Sequence, residues 1–278
     1  IGDSGFNQCY FVQIDLNDDI YLFGLTDSLY NIFPSTVYNS VGSQFIHKLD
    51  SNLSNTLIST SFGNGSLSRN ITPSAFLVSN CGLIYISGWG GLSGIGGNIN
   101  NMPLVNAYQP NTDGADFYLA VFNKDMQSML YESFFGGNQS KEHVDGGTSR
   151  FDKKGVIYQS VCSSCPPSTD GQTTQVSDFP TTSGSAFETN PSVRCSNASF
   201  KIDLQIKTAV IADFLADPII GCAPLNVSFT NRSILGDSLI WDFGDGEKSN
   251  QINPKHEYLS PSKYTVTVSY AHLRAHET

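Results

Sequence analysis

Short runs of alternating apolar and polar residues, rich in Val, Ile, Tyr and Phe, follow one another along almost the whole chain, separated by clusters of Gly, Asn, Ser and Pro. Alternation is the period of a strand with one buried face, and helical spacing is nearly absent, so the pattern predicts an all-β protein. The runs also recur. DIYLFG at residues 19–24 matches GLIYISG at 82–88 and GVIYQS at 155–160. A second theme follows each: QFIHKLD at 44–50 aligns with DFYLAVF at 116–122, and SFKIDL at 199–204 is a third copy. Two copies run on to a small-residue ending, TSFGNG at 60–65 and SFFGG at 133–137.

The most complete unit therefore reads as four strands, SAFLVSNC, LIYISGW, DFYLAVFN and SMLYESFFGG, with a loop of variable length between the second and third. Four antiparallel strands per repeat predict the blade of a β-propeller, in which successive blades bury each other's faces. The third unit stops after Leu204 without its final strand, so residues 1–210 are expected to form about three blades, with more expected upstream. DFPTT at 178–182, GSAF at 184–187, the Phe-x-x-Lys-Leu element at 45–49 and the STSFG ending resemble the bacterial SBBP-type propeller repeat.

Near residue 211 the texture changes. PLNVSF at 224–229, IWDFGDG at 240–246, HEY at 256–258 and YTVTV at 264–268 stand in the order of a PKD domain, which they resemble. The resemblance implies an immunoglobulin-like sandwich over residues 211–269. Its motif positions are Trp241, Asp242, Phe243, Gly244, Asp245, Gly246, His256, Tyr258 and Tyr264. The Asp-Phe-Gly triplet also holds magnesium in protein kinases, but no VAIK-type strand, HRD loop or glycine-rich flap accompanies it. Trp241 and Phe243 alternate with Asp242 as on a half-buried strand, and Asp245-Gly246 suits the turn that follows. Asp242 and Asp245 are the ligands to expect if the turn holds calcium, as in some PKD-like domains; no other cofactor is expected. Residues 270–278 break the β pattern and are expected to be non-native or misread sequence.

Paired with propeller repeats, a PKD domain resembles the surface proteins of gliding bacteria that are exported by type IX secretion. A net charge of −10 over 278 residues argues against nucleic acid, and no run of 18 apolar residues is present to span a membrane. Only 14% of residues are charged, with polar neutral residues in their place, and six cysteines suit an oxidising compartment. Cys162, Cys165 and Cys195 lie close enough in sequence for one bridge among them. Cys222 resembles a PKD position whose partner lies beyond the last strand; that partner is missing, so Cys222 is expected to be a free thiol.

Candidate chemistry is sparse. His143 lies beside Glu142 and near Arg150 and Asp152, but no nucleophile elbow or partner motif accompanies it. His47 is expected on a strand surface and His256 in the PKD packing. DLNDD at 15–19 begins like a calcium loop but lacks its Gly and Glu. The glycines of 88–97 lack a following helix for a phosphate, and His272 and His276 stand as HxxxHE, not as a zinc motif. The expected function is a non-enzymatic, extracellular or outer-surface interaction or adhesion module that contacts protein or polysaccharide. The alternative is the ancillary region of a larger secreted hydrolase.

Overall fold

In the computed structural model the described residues are 5–91, 96–144, 149–165, 177–204, 206, 212–233 and 238–271. The chain divides into two compact units, residues 1–206 and 207–278. No helix among the described residues is long and apolar enough to cross a membrane.

The first unit holds three antiparallel sheets. Sheet 1 is a meander of β1 (Asn7–Ile14), β2 (Ile20–Thr26), β3 (Gln44–Leu49) and β4 (Thr56–Phe62). Sheet 2 repeats it with β5 (Thr72–Val78), β6 (Ile84–Trp89), β7 (Phe117–Phe122) and β8 (Met129–Phe135). Sheet 3 has β11 (Val156–Cys165) in the second position and β12 (Ser196–Asp203) in the third. Its first position is shared by β9 (Lys141–His143) and β10 (Arg150–Phe151), which pair with different parts of β11. No strand among the described residues takes the fourth place, and the three sheets do not close into a ring. The first strands are neighbours, with β5 against both β1 and β10.

Burial follows position in the stack. Every residue of β6 and β7 is buried, because sheet 2 is covered on both faces. One face meets sheet 1, where Phe23 and Phe62 pack on Phe76 and Phe122 with ring centroids 5.4 Å apart in each pair. The other meets sheet 3, where Phe200 lies 5.4 Å from Phe117 and 4.8 Å from Phe135. Strand β12, on the far side, returns to strict half-buried, exposed alternation. Gly24 and Gly88 hold the same place in β2 and β6, where a Cβ would strike the first strand's backbone, at Gln8 and Thr72 respectively.

The strands correct one alignment made on sequence. Gln44 pairs with Phe62 and Phe117 with Phe135, so Gln44 corresponds to Phe117, and Asp116 to Ser43. Matching Phe45 with Phe117 slips the register by one residue, which exchanges faces. Phe45 in fact faces away from sheet 2 and is capped by the Tyr30 ring at 4.4 Å, whereas Phe117 faces sheet 3.

The second unit is a sandwich of two three-stranded sheets. One holds β13 (Phe214–Asp217), β14 (Leu225–Asn231) and β17 (Lys255–Tyr258); the other holds β16 (Lys248–Ser249), β15 (Ser238–Asp242) and β18 (Thr267–Ala271). Between them lie Val227, Phe229, Trp241, Phe243 and Tyr258, all buried. Tyr270 and Ala271 belong to β18, paired with Leu239 and Ser238, so the β pattern runs two residues into the 270–278 segment. The rest of that segment, with His272 and His276, lies outside the described residues.

Candidate functional site

In the first unit, the DLNDD stretch is a turn built around a lysine. The Asp15 carboxylate accepts from the backbone of Asn17 and Asp19, and Lys48 Nζ lies 3.0 Å from Asp15 and 2.9 Å from Asp19. Burial works against the ammonium charge, but bonds to Asp19, Tyr21 and Asp15 outweigh it and hold the Lys48 pKa well above its ordinary value. The cation between these carboxylates is therefore supplied by the chain. Lys48→Met strands two half-shielded carboxylates side by side, and we expect it to destabilise the first unit by about 1–3 kcal/mol in thermal unfolding.

His47 corrects the expectation of a surface residue: it is buried, with Nδ1 2.9 Å from the Tyr30 hydroxyl and Nε2 2.9 Å from Thr56 Oγ1. The reason is the loop after β2, whose Tyr30 folds over the outer face of sheet 1. The set around His143 takes up separate tasks. His143 lies at the end of β9, its ring 5.8 Å from Trp89 and Nδ1 3.8 Å from Cys165 Sγ. Asp152 caps the turn before β11 by accepting from Lys154 and Val156, and Arg150 is exposed in β10.

Glu142 points elsewhere, into a buried pair with Asp116. Its carboxylate accepts from Ser140 Oγ at 2.6 Å, Gly137 N at 3.1 Å and Ser164 N at 3.3 Å, joining the end of sheet 2 to sheet 3. Asp116, just before β7, converges on it over Gly136, where any Cβ would collide with both carboxyl groups. Neither Asp116 oxygen receives a hydrogen bond of ordinary geometry from a described residue. Burial pushes the Asp116 pKa up to about 7 and that of Glu142 up to about 8, so both carboxyls hold their protons to higher pH than ordinary carboxylates do. A Ser-x-Glu three residues past a Phe-Gly-Gly ending stands in the sequence, but nothing there ties it to Asp116.

Cys165 and Cys195 form a disulfide that ties β11 to the segment just before β12. Cys222 is exposed and outside any disulfide, as expected. Of the glycine-rich loop, Gly90 and Gly97 form a bridge, and Gly91 N donates to Gly97 O at 2.7 Å. These glycines let two backbones touch; residues 92–95 lie outside the described residues.

In the second unit, the IWDFGDG stretch is a strand and the turn after it. Trp241 has no exposed surface; its ring sits 5.2 Å from Phe214 and 5.5 Å from Phe229, and Nε1 donates to Gln251 O at 2.9 Å. Trp241 pairs with Ser249 and Asp242 with Lys248, which makes β15–β16 a hairpin whose turn spans 243–247. Gly244 and Gly246 take the positive φ this requires, +81° and +101°. Asp242 accepts from Gly244 N and pairs with Lys248 at 3.2 Å; Asp245 accepts from Glu247 N. Asp245 also meets His256 Nε2 at 2.6 Å, and the His256 ring stacks on Phe243 at 4.2 Å, interplanar angle 3°. Tyr258 donates to Phe243 O at 3.0 Å and stacks on Tyr264 at 4.3 Å. The motif residues thus form one continuous packed column running from the core to the turn.

Compared with known families, residues 212–272 match the family model of the PKD domain. This segment is a PKD domain. Among curated proteins none matches the chain. The domain's Asp242 and Asp245 carboxylates are each committed to a turn amide and a basic side chain. Among the described residues no group of three or more His, Cys, Asp or Glu is arranged to hold a metal ion. His256 serves the PKD domain by stacking and by holding Asp245, which places it in the packing role expected for it.

Proposed function

We propose that this chain is a non-catalytic interaction module of a secreted or cell-surface protein. In this reading the three sheets are blades of β-propeller type that present loops to a protein or polysaccharide, and the PKD domain is a spacer that adds contact surface. The observation that carries the reading is the PKD domain, which suggests an extracellular or surface binding module. The Cys165–Cys195 disulfide is consistent with an oxidising compartment.

The test treats intact cells with protease and incubates the purified chain with polysaccharide and protein panels. The chain should be removed from intact cells and should be retained by a panel member without releasing product. Protection inside the cells, or turnover that disappears in His143→Ala, would overturn the reading.

A further inference from the structure

In sheets 1 and 2 the order outward from the third strand is the same: third strand, fourth strand, then the loop that joins the second strand to the third. Phe33 of that loop bridges Ser59 in β4, exchanging hydrogen bonds of 3.0 and 2.6 Å. In sheet 2, Val105 bridges Glu132 and Gln109 bridges Phe134 along the outer edge of β8. The fourth strand is clamped on both sides.

Sheet 3 has the third strand and the loop but, among the described residues, nothing between them. Among the described residues strand β12 pairs with β11 along one edge and with no strand along the other. The corresponding loop carries Phe179-Pro180 where the others carry Phe33-Pro34 and Met102-Pro103. Between loop and strand lies a groove of 850 Å³. One wall is β12, from Asn197 onward; the other is the loop, with Phe179, Pro180, Ala186 and Phe187. The floor is Leu119, Tyr131 and Phe135 of sheet 2, part of or packed against the sheet 2–sheet 3 core.

We propose that this groove is a strand-acceptor site, which takes a seven-residue extended segment of a separate polypeptide in the place that β4 and β8 hold in their sheets. An open sheet edge offers unpaired N–H and C=O groups in register, and an added strand satisfies them whatever its side chains are. Side-chain choice comes from the floor. β4 reads TLISTSF and β8 reads MLYESFF, ending in Thr-Ser-Phe and Ser-Phe-Phe respectively before glycine. In β8, Phe134 packs into the sheet 1 core while Phe135 turns to sheet 3. A segment in the groove accordingly places alternate residues on Tyr131 and Phe135, and favours small or aromatic residues there. The inference names the partner chemistry for the binding-module reading and rests on it only for the idea that the chain binds. Surface exposure is read separately by the protease assay.

The probes are synthetic peptides of residues 129–137 and 56–64, each against a scrambled control, titrated into the full chain by calorimetry. Saturable binding of a native-order peptide but not of its scramble is expected. Ala186→Trp and Thr182→Trp, both at exposed positions on the loop wall, should each weaken binding roughly tenfold or more while leaving thermal melting unchanged. No binding by either peptide, equal binding by the scrambles, or indifference to both tryptophans would overturn the site. A dimer of the chain that the peptide dissolves would give the groove to a second copy and overturn the separate partner.

Discussion

Trp241→Ala is expected to unfold most of the PKD domain at ambient temperature. The side chain is fully buried and touches Phe214 and Phe229 of the facing sheet. Its removal leaves a cavity between two small sheets and an unmatched Gln251 carbonyl, at a cost of about 3–5 kcal/mol. A domain of this size has about 5–10 kcal/mol in total, so little remains. Hydrogen exchange on the full chain should show loss of protection across β14, β15 and β17 with the first unit's amides unchanged. Asp245→Asn should cost about 1 kcal/mol or less, because Asn still caps Glu247 N and can still bond His256. Burial alone would raise the Asp245 pKa, but the His256 bond outweighs it and holds it below the usual 3.8. The stabilisation from that bond is therefore complete above the ordinary carboxylate pKa and fades only as pH falls through the lower folded value. A calcium site would reverse the ranking: Asp245→Asn and a chelator would each do as much damage as Trp241→Ala. That result would sink the structural account of the turn.

The PKD domain was legible because its motif residues touch one another. Phe243, His256, Tyr258 and Tyr264 form a chain of ring contacts that Phe229 joins to Trp241, so their order along the chain records one packing arrangement. The repeat in the first unit was legible for a related reason: Tyr21 and Tyr85 open equivalent second strands, and Gly24 and Gly88 meet equivalent first strands. What could not be read lay between sheets. Alternation tells which residues share a face but not which face is covered. A sheet buried on both sides loses alternation, which is how a one-residue slip at Phe45 and Phe117 went unnoticed. His47 was misjudged because its cover, Tyr30, comes from a loop 17 residues away. Glu142 and His143 are neighbours in sequence, but adjacent residues on a strand point to opposite sides, so their adjacency does not place them in one site.

The Asp116–Glu142 pair leads to the second large effect expected: the first unit should lose stability as pH rises from about 4 to 8, and Asp116→Asn should remove Asp116's share of the loss. The shares of Glu142 and of the buried Glu132, whose pKa burial raises to about 7, remain. Burial is the main cause of the raised pKa values of Asp116 and Glu142, and the nearby Asp113 charge adds to that of Asp116. Unfolded carboxyls release their protons near pH 4, while the folded pair keeps its proton up to about 7–8. The native state therefore binds more protons over this window, and stability must fall with rising pH. Above it the cost is constant. His47, whose pKa burial lowers, acts in the opposite sense below about 6.5, so the comparison is between variant and wild type at each pH. Sheet 1 shows that the place can be filled without charge. At the position corresponding to Asp116, Ser43 exchanges hydrogen bonds with the neutral Asn70 at 3.2 and 2.9 Å. Asp116→Asn should accordingly raise stability at pH 8 by on the order of 2 kcal/mol and change it little at pH 5. Denaturant unfolding at pH 5 to 9 reads both slopes, and parallel curves for variant and wild type would show that burial does not raise the Asp116 pKa. If the slopes differ as expected, the junction between sheets 2 and 3 carries a buried carboxyl that is costly to ionise, where the junction between sheets 1 and 2 carries the neutral Ser43–Asn70 hydrogen bonds.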